Sequence, residues 1–214
     1  MMRFTLKTKP INFLEEVERP GKAWLLANPT GRPKDLWSPF RPQLASAFEN
    51  LCAYSAMIDL VGTVDHFVSC NEDRNQAYDW ANYRYSSGWL NSSKTRLRAA
   101  QILDPFQVEN DWFEILLPSL QLVLTDRLPH GIKPVAEFVL KRLHLQDDER
   151  VIRQRRAWYE MYQNSKISLS GLADVAPLIA RAVEKANANI GGSSLETTSS
   201  ERLFDEGKNS HGDH

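Results

Sequence analysis

The chain has 214 residues, of which 42% are hydrophobic and 25% charged, with a formal net charge of -1. This length allows one ample domain with a buried core, and the near-neutral charge argues against a protein covered by nucleic acid over its whole surface. No apolar run approaches the roughly 18 residues of a membrane span, and the N-terminus resembles neither a signal peptide nor a transit peptide, so we expect a cytoplasmic protein with no membrane contact.

The first half of the chain predicts an irregular arm, a helix and two short strands. Residues 1–42 are rich in Pro and Gly and form the arm. A helix begins near Pro39 and ends near Leu51, because its apolar residues recur at helical spacing. The apolar, β-branched segment MIDLVGTVDHFV indicates a strand or a tight hairpin that carries Asp65 and His66, and NYRYS indicates a second short strand after a polar loop.

The second half predicts a hairpin between helices. The segment SGWLNSSKTRLRAAQIL is typical of a helix with Ser86 or Ser87 as its N-cap, and Pro105 ends it. Apolar runs on both sides of a central proline predict strands at about 112–117 and 120–125. Two amphipathic helices follow in KPVAEFVLKRLHL and DDERVIRQRRAWYEMYQN, and a third in SLSGLADVAPLIARAVEKANA.

These elements predict an α+β protein with four segments. They are an N-terminal arm at 1–42, a core at 43–104, a hairpin plus helical region at 105–190, and a tail at 191–214. The tail is rich in Gly, Ser, Thr and charge without periodicity, which predicts disorder.

Residues with the chemistry of phosphodiester cleavage lie on the predicted strand, loop, strand and helix of the core. Such cleavage needs a base, a hard divalent ion and a nearby cation. His66 titrates near the working pH and is the candidate base, while Asp65 and Asn91 offer oxygen ligands to Mg²⁺ or Mn²⁺. Lys94 shares a helix face with Asn91 and is the nearby cation. Considered singly, His66 is compatible with a purely structural role, and Asn82 with a turn.

A basic segment overlaps this unit. Residues 82–100 contain no Asp or Glu, and their cations Arg84, Lys94, Arg96 and Arg98 predict a nucleic-acid-binding face. The alternative is a solvated helix face, which is also the simpler interpretation of a second basic cluster, Arg150, Arg153, Arg155 and Arg156.

In order and spacing, Asp65-His66, Asn82, Asn91 and Lys94 resemble the motif of HNH endonucleases. The segments VDHF, YDWANYRYSS and N-x-x-K are similar to the HNH components that accompany an ATPase in Septu-type and retron-linked anti-phage defence systems. The resemblance implies a ββα-metal (HNH) core in which His66 is the general base and Asp65 and Asn91 hold the metal. It further implies that Asn82 pins the loop and orients the His66 ring, and that Lys94 lies near phosphate.

The resemblance thus implies a metal-dependent endonuclease that hydrolyses DNA phosphodiester bonds in bacterial defence or restriction. A defence-system subunit such as an ATPase is an implied partner, and a homo-oligomer and an RNA substrate stay open. The alternative is a catalytically degenerate HNH domain that binds nucleic acid or a partner protein without cutting.

The chain departs from many HNH relatives at the zinc knuckle. Where those relatives carry four cysteines, this sequence has Cys52, Ser55, Ser87 and Leu90. The other cysteine, Cys70, falls in the polar loop. One thiol cannot hold a structural zinc, so we expect no such zinc and aromatic packing in its place.

Overall fold

A computed structural model describes residues 1–201, with side chains described to residue 189, and the described part is an α+β structure. The bounds of its helices and strands are, in chain order, α1 Arg19–Ala27, α2 Arg41–Ala47, β1 Thr63–His66, β2 Tyr83–Ser86, α3 Gly88–Lys94, β3 Phe113–Leu116, β4 Gln121–Leu124, α4 Lys133–Arg142, α5 Glu149–Gln163, α6 Leu169–Val175 and α7 Pro177–Glu201. The α+β class expected from the periodicities is therefore confirmed.

Two antiparallel hairpins provide the strands of the described residues. In the first, β1 pairs with β2 so that Asp65 faces Arg84 and His66 faces Tyr83. In the second, β3 pairs with β4, as the two apolar runs around Pro118 predicted. The strand containing Asp65 is shorter than its apolar segment indicated and begins directly after Gly62, whose backbone N–H donates to the Tyr85 hydroxyl (2.9 Å). An added Cβ at Gly62 would lie 2.5 Å from the Tyr85 ring.

The N-terminal 42 residues pack as part of the fold. A π-helical turn, Leu14–Glu18, runs into α1, and a 3-10 turn, Ser38–Phe40, runs into α2. Their apolar side chains join those of α2 and β2 in one aromatic core. This core includes Phe4, Phe13, Val17, Trp37, Phe40, Leu44, Phe48, Tyr78, Trp80, Tyr83 and Tyr85. The predicted arm therefore supplies one wall of the region around β1 and β2.

A second core lies under the C-terminal half. It joins β3, β4 and the helices α4–α7 to residues from the first hairpin region, including Tyr54 and Leu90. Arg155 of α5 is only 1% exposed in this core, and its guanidinium donates to the carbonyls of Leu120, Leu145 and Gln146. The interpretation of the α5 arginines as one solvated face is thus wrong for Arg155, because a guanidinium that satisfies three buried carbonyls can itself be buried.

Two predicted helices have different lengths in the structure. The helix α3 ends at Lys94, and Leu97 and Ile102 are both buried although a continuous helix would direct them to different faces. The last predicted helix is divided into α6 and α7 at Ala176, directly before Pro177. The helix α7 includes residues 191–201 of the predicted tail, and residues 202–214 lie outside the described residues.

Candidate catalytic groove

The first hairpin and α3 bring four of the predicted site residues, Asp65, His66, Asn91 and Lys94, to one groove. The side-chain amide of Asn91 in α3 donates to the Thr63 hydroxyl (3.0 Å) and to the Val64 carbonyl (3.3 Å), which fixes the helix against β1. Asp65, His66 and Asn91 consequently line the same groove of about 870 Å³. Its other walls come from the segment before α2, from the polar loop after β1 and from α3, and they include Gly31, Arg32, Pro33, Trp37, Ser69, Cys70, Asn71, Arg74, Ser92, Lys94 and Thr95.

His66 is held so that one ring nitrogen keeps its lone pair. Its Nε2 lies 2.9 Å from the Ala77 carbonyl, and because a carbonyl only accepts hydrogen bonds, Nε2 carries the proton in the neutral ring and Nδ1 does not. The rings of Trp37 and Tyr83 pack edge-on to the imidazole, with centroids 4.5 and 5.0 Å away. In its neutral form, His66 is therefore held in one orientation with Nδ1 as a proton acceptor.

Burial lowers the pKa of His66 from its ordinary value, and the bond to the Ala77 carbonyl opposes this only in part. The unfolded chain then binds a proton at a higher pH than the folded chain, so this residue's contribution to stability is full above about pH 6.5 and is lost as the pH falls. We expect thermal unfolding between pH 7 and 5 to show a smaller loss of Tm in the His66→Gln variant than in the unchanged chain. An equal loss in both would contradict the lowered pKa.

Asn82 forms three hydrogen bonds with the loop whose Ala77 carbonyl contacts the His66 ring. Its Oδ1 accepts from the Val68 backbone N–H (2.8 Å), and its Nδ2 donates to the carbonyls of Val68 and Gln76, each 3.0 Å away. The Gln76 peptide adjoins Ala77, whose carbonyl contacts the His66 ring. Asn82 thus holds the loop segment directly before Ala77, and its effect on the His66 ring stays a prediction.

Asp65 is only 3% exposed, and both of its carboxylate oxygens have protein partners. The Tyr54 hydroxyl donates to Oδ2 (2.6 Å) and Lys94 donates to Oδ1 (2.9 Å). Burial raises the pKa of Tyr54 well above its ordinary value, and the neighbouring Asp65 charge adds to this, so the phenol stays protonated as a donor. Sequence reasoning missed Tyr54, because no spacing pattern connects it to Asp65.

Lys94 does not reach the surface of the groove as a free cation. Its ammonium donates to Asp65 Oδ1 and to the carbonyls of His66 (2.5 Å) and Phe67 (3.0 Å), and the residue is 3% exposed. An ammonium has three N–H donors, so these three bonds use all of them. Lys94 thus lines the groove and holds the end of β1, and its ammonium has no N–H donor left for a further partner.

Arg84 is likewise buried, although the sequence grouped it with nucleic-acid-binding residues. It is 2% exposed and forms a two-pronged ion pair with Asp104, with both distances 2.8 Å. The Phe106 ring covers the guanidinium at 3.7 Å from its centroid. This ion pair joins β2 to the segment after α3 and leaves Arg84 outside the groove.

Arg96 and Arg98 remain exposed and line a shallow depression of about 200 Å³. The depression shares Ser69, Asn71 and Thr95 with the larger groove, so the two adjoin. Of the four basic residues predicted to bind nucleic acid, these two are the ones that the structure presents to solvent next to His66.

Of the four positions that correspond to the zinc knuckle, Cys52 and Ser87 are in contact, and Cys52 and Leu90 belong to one apolar core. The Cys52 sulfur accepts from the Ser87 backbone N–H at 3.4 Å and lies 3.9 Å from the Ser86 hydroxyl. Ser55 and Leu90 are also buried, at 4% and 0% exposure.

The oxygen groups of the groove fit a hard divalent cation. Asn91 uses its nitrogen toward β1, which leaves its Oδ1 as an oxygen donor, and each Asp65 oxygen keeps a second lone pair. Oxygen ligands of this type suit Mg²⁺ or Mn²⁺. Within residues 1–201, no cluster of three or more His, Cys, Asp and Glu side chains is arranged to hold a metal, so water and substrate would complete the shell.

Comparison with protein-family models and with curated protein sequences gives no match. Among the described residues, no helix is both long and apolar enough to cross a bilayer. The interpretation of the groove therefore depends on its own geometry and chemistry.

Proposed function

We propose that this chain is a metal-dependent endonuclease of the HNH type, with a ββα-metal core formed by β1, β2 and α3, and that it hydrolyses DNA phosphodiester bonds. The observation that carries the proposal is the His66 ring, oriented by the Ala77 carbonyl and sharing a groove with Asp65 and Asn91. A neutral histidine beside two oxygen ligands is a combination suited to activating water near a phosphate.

Each residue has a distinct role in this proposal. His66 takes a proton from the attacking water through Nδ1, while its Nε2–H stays on the Ala77 carbonyl. Asn82 keeps the loop in place, and Lys94 holds the end of β1. Asp65 and Asn91 would hold the divalent cation, which supplies charge neutralisation for the phosphate and for the leaving oxygen. A single groove cuts one strand, so a double-strand break requires two copies or two events.

The setting of the activity is also a proposal, and it is supported by the sequence resemblance alone. We infer a cytoplasmic role in bacterial anti-phage defence or restriction, with an ATPase or another defence-system subunit as partner.

Plasmid cleavage tests the proposal. Supercoiled plasmid with Mg²⁺ or Mn²⁺ is expected to be nicked by the unchanged chain and spared in EDTA, and His66→Ala is expected to lower the rate by roughly 10²–10⁴-fold, the usual contribution of a general base. The matched control is His130→Ala, which removes an exposed histidine from another part of the fold and is expected to cut at the unchanged rate. Equal rates of cleavage by the His66→Ala and His130→Ala variants would contradict the role of His66 as general base. Running the assay on RNA distinguishes the two substrates.

The second candidate is a domain that binds nucleic acid or a partner without cutting. Its support is the Asp65 carboxylate, which is buried and already bonded at both oxygens by Tyr54 and Lys94. This candidate predicts no cleavage by the unchanged chain, alone or with an ATPase partner, under metal conditions in which a control nuclease is active. Cleavage that appears only when the partner is added would instead indicate an endonuclease controlled by that partner.

A further inference from the structure

The groove contains two arginines that belong neither to the metal-binding motif nor to the predicted basic segment. Arg32 comes from the segment between α1 and α2, and Arg74 from the loop after β1. The two residues are 42 positions apart in the chain, so only the fold brings them to the same wall. Both positions face the groove that His66 and Asn91 line.

Arg74 stabilises the turn that precedes Arg32. Its guanidinium donates to the carbonyls of Asn28 (2.9 Å) and Pro29 (2.5 Å). Gly31 follows with a φ of +88°, a backbone conformation that favours glycine, and it turns the chain directly before Arg32. These bonds fix the backbone directly before Arg32, which reduces the backbone entropy lost when its side chain binds a ligand.

The charges of these two arginines are not offset by acidic side chains. Within the described residues, neither Arg32 nor Arg74 has a carboxylate at ion-pair distance, whereas Lys94 and Arg84 each have one. Arg32 is exposed, and within residues 1–201 its side chain makes no hydrogen bond. Burial raises the pKa of the Cys70 thiol in this groove, and the charges of Arg32 and Arg74 oppose that shift.

Arginines line both the groove of His66 and the adjoining depression, where Glu72 also lies and accepts a hydrogen bond from the Ala99 backbone N–H. Arg32 and Arg74 lie in the main groove, and Arg96 and Arg98 lie in the depression that adjoins it through Ser69, Asn71 and Thr95. A nucleic-acid strand that extends from the groove into the depression would meet arginines in both.

We propose that Arg32 binds a backbone phosphate of the DNA strand that occupies the groove, and that Arg74 positions Arg32 for this contact. This inference depends on the proposed function for the identity of the ligand, and it adds a contact from outside the HNH-like unit. Guanidinium groups suit this task because their planar fork can donate two hydrogen bonds to one phosphate.

Binding measured without cleavage tests the inference separately from hydrolysis. The probe is a fluorescein-labelled single-stranded DNA oligonucleotide, followed by anisotropy in EDTA over a series of salt concentrations. We expect Arg32→Gln to raise Kd about tenfold at low salt and to reduce the slope of log K against log salt by about 0.7, the loss of one phosphate contact. We expect the Kd of Arg32→Lys to lie between those of the unchanged chain and of Arg32→Gln. Lysine keeps the positive charge but lacks the planar guanidinium that donates two hydrogen bonds.

The matched control is Arg127→Gln, which removes the same charge from an exposed residue in a different groove, the one between the second hairpin and α7. It is expected to leave Kd and the salt slope close to those of the unchanged chain. Equal values for the Arg32→Gln and Arg127→Gln variants would overturn the inference, as would competition by inorganic phosphate at the same concentration of phosphate groups. The absence of binding by the unchanged chain would also overturn it.

The positioning role of Arg74 has its own readout. Lysine at position 74 cannot bond both carbonyls as a fork, so Arg74→Lys is expected to weaken binding when Arg32 is present and to have little further effect in the Arg32→Gln background. Additive losses in the two variants would contradict the positioning role.

These results separate the inference from the proposed function. If DNA binding depends on Arg32 but the unchanged chain cleaves no DNA, the phosphate contact of Arg32 is supported and the proposed hydrolysis is contradicted. If cleavage depends on His66 while Arg32→Gln binds as the control does, hydrolysis holds and the inference fails.

Discussion

Replacing Lys94 with methionine is expected to lower the free energy of unfolding by about 3–5 kcal/mol, the usual cost of removing one partner from a buried ion pair. The ammonium is the only cation that contacts the Asp65 carboxylate among the described residues, and the pair is 3–4% exposed. Its removal leaves a buried charge without a counter-ion and leaves the carbonyls of His66 and Phe67 without this donor. Urea denaturation followed by circular dichroism measures the change.

A second substitution serves as the control for this prediction. In the variant that combines Asp65→Asn with Lys94→Met, no uncompensated charge remains, so we expect a substantial part of the lost stability to return. A Lys94→Met variant as stable as the unchanged chain would show that the ammonium does not hold β1. In that case a direct contact between Lys94 and phosphate, as the sequence predicted, would regain support.

The second large effect is expected at Arg84. Arg84→Met removes the two-pronged bond to Asp104 and the cation that packs over Phe106, and we again expect a loss of about 3–5 kcal/mol, because both charges of the pair are largely buried. Arg84→Lys is expected to be more stable than Arg84→Met but less stable than the unchanged chain, because an ammonium cannot form the two-pronged bond to Asp104. Denaturation in urea measures both variants.

Arg96→Gln is the matched control for Arg84, because it removes an exposed arginine from the same basic segment. Its effect on stability is expected to stay within about 0.5 kcal/mol. If Arg84→Met were equally harmless to stability, the interpretation of Arg84 as a structural residue would be wrong.

Much of the local organisation around the groove could be predicted from the sequence. The alternation and β-branching of the short segments around Asp65 and Tyr83 predicted the two strands, and helical spacing predicted the helix that carries Asn91. These elements follow one another closely in the chain. The order of the polar residues was therefore enough to predict that His66 and Asn91 share one site, and the structure places both along one groove.

The role of each cation could not be predicted in the same way. Arg84 and Arg96 look alike in the sequence, but one is buried against Asp104 and the other is exposed. Whether a charged side chain is exposed depends on its tertiary packing and on partners distant in the chain. Hydrophobic periodicity gives no information about either. Arg155 shows the same limit, since three backbone carbonyls from other elements explain its burial.

The sequence by itself thus determined the α+β class and the short strands that carry Asp65, His66 and Arg84, because local propensity and spacing act over short distances. Only the tertiary structure decided that Lys94 and Tyr54 both donate hydrogen bonds to the Asp65 carboxylate. It also decided that Arg32, from the N-terminal segment, lines the groove. The physical reason is that desolvation and ion pairing depend on which groups the folded chain brings together, however far apart they lie in the sequence.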